Sequence, residues 1–131
     1  YGLITDPSGQ YSSMYKPFHL IGLELGISVA SIGVRGEATG APICWHGDVV
    51  ATAKRDLQAG EMLDGEGGYT VYGKLLPAKE SLALGGLPLG LAHGVKLLKP
   101  VKAGHAVSWN DVAFDANSTA VKFRREMEQS F

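Results

Sequence analysis

His19 follows Tyr15-Lys16-Pro17-Phe18, and Glu24 lies five residues further on. A histidine changes charge near neutral pH, so it can take up and return protons at a domain junction. Lys16 beside it could clamp an anion. The plainer role for His19 is a partly buried ring bonded to backbone, because one histidine without a visible partner is thin ground for catalysis. Glu24 stands in an otherwise apolar stretch. A carboxylate there needs a partner or a raised pKa, whether it faces a cleft or ends a structural ion pair. Lys16, His19 and Glu24 are therefore the candidate catalytic residues.

A second candidate is Asp64-Gly65-Glu66-Gly67-Gly68-Tyr69, with two carboxylates, permissive backbone and an aromatic ring. Asp64, Glu66 and Tyr69 could bind a sugar or a cation. Turn composition alone also explains the segment, as a long β-turn with a solvated acidic tip. Trp45-His46-Gly47-Asp48 supplies one histidine and one aspartate, which falls short of a metal site. His93 and His105 are isolated, and His105 is expected on the surface. No Ser-His-Asp arrangement or carboxylate pair can be argued. Cys44 is the single cysteine, so neither an intrachain disulfide nor a cysteine-based metal cluster is expected.

The elements that must hold these residues start at Pro17. Pro17 and Gly36 are the expected start and stop signals of a helix over 17–35. One stripe carries Leu20, Leu23, Ile27, Ala30 and Val34; the opposite one carries Ile21, Leu25, Val29 and Ile32. A helix apolar on both sides must be buried on both sides. It is too short for a bilayer, which takes about 20 apolar residues. Gly22, Gly26, Ser28, Ser31 and Gly33 would let neighbouring backbones come close. Packing against another domain or another copy of the chain is expected. Residues 37–47 read as a linker, and short strands broken by glycine turns begin at Asp48. A C-terminal helix is predicted with Asn117 or Ser118 as N-cap and Val121 and Phe123 as anchors. Arg124, Arg125, Glu126 and Glu128 read as its solvated charged face. The resulting boundaries are 1–47 for the loop, apolar helix and linker, 48–114 for the β-domain, and 115–131 for the last helix.

Composition bounds the function. The chain has 131 residues with 12 basic and 13 acidic side chains, net −1, and shows no electrostatic footprint for nucleic acid or an anionic membrane. An apolar share of 45% with 19% charged residues argues against disorder. No basic-then-apolar leader opens the chain, which with the lone cysteine suits a cytoplasmic protein. Tyr1 stands where a complete chain would have Met, so the sequence reads as a piece of a longer protein.

Within the β-region the sequence repeats. AKRDLQAGEML at 53–63 aligns with LKPVKAGHAV further on, at a constant offset of 44. Leu57 falls on Val101, Ala59 on Ala103, Gly60 on Gly104 and Leu63 on Val107. Each copy runs from a basic strand end to an apolar anchor, an Ala-Gly turn and a second strand. Two such units would pair about a pseudo-twofold axis and bury Leu57 and Val101 between them.

The paired segments AKRDLQAGEMLD and LPLGLAHGVKLLKPVKAGHAVSWNDV resemble the SAF domain over about residues 48–114. That family includes sialic acid synthase C-termini, type III antifreeze proteins and flagellar or pilus assembly proteins. The resemblance implies a β-clip of pseudo-twofold strand-turn-strand halves; with the buried apolar helix read before it and the short C-terminal helix after it, the expected fold is mainly β with flanking helices. YKPFHLIGLELGISVASIGVRGEATGAP, DVVATAKRDLQAGEMLDGEGGYTVYGKL and LPLGLAHGVKL together resemble the C-terminal part of homoserine-dehydrogenase-like NAD(P)-dependent oxidoreductases. This implies an N-terminal Rossmann and catalytic domain elsewhere, an NAD or NADP cofactor held there, and a homo-oligomer. The chain itself carries no G-x-G-x-x-G that opens a helix, so it is expected to bind no cofactor and to have no catalysis alone. The alternative is an independent module for a carbohydrate, sugar acid or sugar phosphate. A third is an assembly module, which predicts a secretory segment.

Overall fold

The computed structural model describes residues 2–130. Two compact units divide the chain, Tyr1–Pro42 and Ile43–Phe131.

The first unit begins with a two-residue hairpin, β1 (Ile4–Thr5) on β2 (Ser12–Ser13). Asp6 closes its loop by accepting from the backbone N–H of Ser8 and Tyr11 at 3.0 and 2.9 Å. Then comes α1 (Ile21–Ala30), which runs on as a π-helical turn over Ser31–Arg35. Gly36 ends it at φ +67°, the left-handed conformation that favours glycine. The stop is where the sequence puts it, but the start is four residues later than Pro17. Pro17 to Leu20 stay outside the helix.

Burial of α1 is not achieved within its own unit. None of its described residues is buried, and both stripes face out: Ile21 is 66% exposed, Leu25 62% and Ile27 68%. The physical reason is what shares its unit, a hairpin of two-residue strands with exposed side chains.

The second unit is small antiparallel sheets with helices between and after them. β3 (Gly47–Ala53) pairs along its whole length with β5 (Val71–Pro77). A second sheet runs in the order β4 (Met62–Asp64), β6 (His93–Leu97), β7 (Val112–Ala113). Helix α2 (Ala78–Leu84) follows β5, and α3 (Thr119–Gln129) follows β7. Ser118 is the N-cap of α3, as one of the two sequence candidates. Among the described residues no strand set closes into a barrel, and the fold is mainly β with helices.

The repeat appears in the hydrogen bonds. Leu57 and Val101 exchange both backbone bonds, at 2.8 and 3.0 Å. Gly60 N–H donates to Leu97 O and Gly104 N–H to Ala53 O, both at 2.8 Å. Leu97 N–H donates to Glu61 O, and Ala53 N–H to His105 O, at 2.8 and 2.9 Å. Shifting every partner by the 44-residue offset turns each bond into the other of its pair. Gly60 and Gly104, at φ +92° and +78°, make the same turn in the two halves. Leu57 is 1% exposed and Val101 6%, so both anchors are core residues.

Leu57→Ala should therefore destabilise the domain by about 2–5 kcal/mol. Val101→Ala, with fewer atoms removed, should cost less. Urea unfolding followed by tryptophan fluorescence checks this, since Trp109 lies in the same core. Losses under 1 kcal/mol at both sites would show that the halves do not depend on their shared anchors.

Candidate functional site

Lys16, His19 and Glu24, separate in the sequence, meet in the first unit. Glu24 lies in the first turn of α1 and its N–H bonds to Leu20 O at 3.0 Å. This points its carboxylate back over the residues that lead into the helix. One oxygen takes the Lys16 ammonium; the other lies 2.6 Å from His19 Nδ1. Lys16 Nζ also sits 5.5 Å from the centre of the Phe18 ring, in cation–π range. The partner that Glu24 needed is thus local, and the apolar helix presents one compact polar patch at its start.

The 64–69 loop folds on itself. Asp64 accepts from the backbone N–H of Tyr69 at 2.6 Å and of Thr70 at 3.0 Å, and from the Thr70 hydroxyl. The Thr70 hydroxyl bond, with the Tyr69 N–H next, holds the Asp64 carboxyl down at about 2. Its lone pairs are spent on its own turn, and a Cβ at Gly68 would run into that carboxylate. Of the three residues singled out there, only Glu66 and Tyr69 reach solvent freely; Tyr69 is 87% exposed. The acidic tip is Glu66 alone.

The chain matches no model of a known protein family and no curated protein.

What the site can hold is therefore read from its own groups. Gly65-Glu66-Gly67-Gly68 joins strand β4 to β5 and opens no helix, so its residues do not fit a dinucleotide pyrophosphate. Among the described residues no three His, Cys, Asp or Glu side chains group as a metal ion would need. Cys44 Sγ lies 3.0 Å from His46 Nε2, both exposed in the run before β3. His93 Nδ1 bonds to Asp64 O at 3.0 Å, which ties β6 to the loop. His105 is exposed, as expected.

One cluster was misread in the sequence. Arg124 does not belong to a solvated face: it is 9% exposed and forks onto Asp48 at 2.9 and 2.5 Å. Its Nε donates to Glu128 at 2.8 Å. Ser81 Oγ, on α2, donates to Asp48 at 2.5 Å. The Trp45 ring covers the guanidinium, 4.5 Å from its centroid. Arg125 bonds the other Glu128 oxygen at 2.7 Å and stacks 4.2 Å from Trp109. Conversely Phe123, expected to anchor α3, is 72% exposed, while Val121 is buried as expected. The helix turns Val121, Arg124 and Glu128 inward, a spacing of three and four residues that lies on one face. That spacing was a signal available in the sequence, though the partner 76 residues away was not.

Proposed function

We propose that this chain is the C-terminal part of a homoserine-dehydrogenase-like NAD(P)-dependent oxidoreductase acting on a small polar substrate. In that reading Ile43–Phe131 is an SAF-type β-clip, and the domain completes the active-site region or the oligomer interface of the longer protein. What carries the reading is the set of backbone bonds that repeat at the 44-residue offset about Leu57 and Val101. The exposed α1 adds support, since a helix with two apolar stripes belongs against a neighbouring domain. The dinucleotide would be held by an upstream domain, since among the described residues no glycine-rich turn opens a helix.

The test is a pair of titrations. NAD(H) and NADP(H) should show no useful affinity for the isolated chain. The polypeptide that includes the upstream reading frame should bind one of them at micromolar concentration. Micromolar binding to the chain alone, or none to the longer polypeptide, would overturn the proposal.

A further inference from the structure

The β-domain holds a cavity of about 420 Å³, built where the turn at Leu89–Leu91, strand β6, the run after β7 and the start of α3 meet. Leu91, Val95 and Phe114 line it with carbon, and His93, Asp115 and Ser118 with polar groups. A concave surface of this size, part apolar and part polar, is the usual form of a small-molecule site.

Each polar group has hydrogen-bonding capacity that the protein leaves unused. His93 Nδ1 bonds to Asp64 O at 3.0 Å. A carbonyl oxygen only accepts, so the neutral ring carries its hydrogen on Nδ1 and its lone pair on Nε2. Among the described residues nothing bonds Nε2. One Asp115 oxygen accepts from the Asn117 N–H at 2.8 Å, and the other has no partner among the described residues. Ser118 is the N-cap of α3, yet its hydroxyl makes no cap bond. Charge then selects the ligand. With His93 neutral, Asp115 carries the only formal charge among the lining residues. Arg125, 5.7 Å from the centre of the Phe114 ring, is already paired with Glu128. The start of α3 contributes about half a positive charge, less than the full negative charge of Asp115. A cation is favoured there and an anion is not.

We propose that this cavity binds a small primary amine. The ammonium group donates its three hydrogens to His93 Nε2, Asp115 and Ser118 Oγ, and the carbon skeleton lies against Leu91, Val95 and Phe114. Three donors meet three acceptors, and one charge meets one charge. This binding stands whether or not the longer protein is an oxidoreductase.

Three probes of one shape and different charge test it: isopentylamine, isopentanol and isovalerate. Each is titrated into the nitrogen-15-labelled chain at about pH 8, where a free alkylamine is charged and an ordinary imidazole is neutral. The amine should shift the amide signals of residues 90–95 and 113–121, the segments that line the cavity. It should bind about 10-fold more tightly than the alcohol, and the acid should not bind. Asp115→Asn keeps an oxygen for the Asn117 N–H but removes the charge; it should weaken the amine by about 10-fold and abolish its advantage over the alcohol. His93→Asn keeps a donor for Asp64 O but removes Nε2, and should weaken the amine by about fivefold. The spectrum of each variant shows whether it is folded; if one is not, the ranking of the three probes on the wild-type chain decides alone. An amine that gives no saturable shift, or binds no better than the alcohol or the acid, would overturn the proposal. Shifts confined to other residues, or full affinity in a folded Asp115→Asn chain, would overturn it equally.

Discussion

Arg124→Ala should be the most damaging single substitution in the β-domain, at about 3–5 kcal/mol, because it leaves the Asp48 carboxylate buried without its cation. Asp48 is 7% exposed and would keep the Ser81 hydroxyl and the Val49 backbone N–H but no cation. Arg124→Lys should recover a minor part, since an ammonium cannot fork onto Asp48 and reach Glu128 together. Replacing Arg124 and Asp48 together by Met and Leu should hurt less than Arg124→Ala, because no charge is then stranded. Thermal unfolding of the three variants checks the order. An Arg124→Ala protein within 1 kcal/mol of wild type would show that the pair is solvated.

The same cluster sets an acid limit. Burial pushes the Asp48 carboxyl up, but the bonds from Arg124 and Ser81 outweigh it and hold the group below its ordinary value. Glu128 is likewise raised by burial and lowered further by Arg124 and Arg125. Both folded-state values are depressed, so their stabilisation is fully present above the ordinary carboxylate range. It is lost as pH falls below about 4 and through the folded-state values. Unfolding midpoints measured from pH 6 to pH 2 should fall steeply in wild type and less steeply in the Met/Leu double variant. Equal slopes would remove the cluster as the cause.

The second large effect concerns association. The isolated chain should form a dimer or larger, because α1 otherwise leaves Ile21, Leu25 and Ile32 in water, 62–66% exposed. Each such side chain gains about 1.5–3 kcal/mol on full burial. A second copy can supply that burial about a twofold axis, with helix facing helix. Sedimentation should report the oligomer, and the Ile21→Asp, Leu25→Asp double variant should be monomeric. A wild-type chain that stays monomeric at high concentration would remove α1 as a self-association surface.

The features that could be read from sequence were those whose cause is local or repeated. The Ala-Gly turns, the anchors Leu57 and Val101, the Gly36 stop and Ser118 as N-cap each follow from a residue type at a defined position. The start of α1 was misplaced because Pro17 is also comfortable in extended backbone, and the polar contacts of Lys16 and His19 with Glu24 hold the chain outside the helix instead. Asp64 looked like a solvated tip because most of the donors to its carboxylate are backbone N–H groups, which no side-chain pattern announces. Arg124 looked solvated because its buried partner, Asp48, comes from the start of β3, and Glu128 because it is drawn inward by Arg124. Lys16, His19 and Glu24 were each visible as types; that they share one carboxylate follows from the path of the chain before Ile21.

The fork from Arg124 to Asp48 also has an architectural meaning. Asp48 opens the β-domain and Arg124 lies in its last helix, so the bond places the entry and the exit of the module side by side. Modules with adjacent ends can be spliced into a surface loop of another protein without stretching either, and they tolerate circular permutation. Joining residues near Trp45 and Arg125 by a short linker, and reopening the chain at the Glu66 tip, would keep every strand pairing intact. The Arg124–Asp48 fork is thus an ionic clasp between the first strand of the module and its last helix.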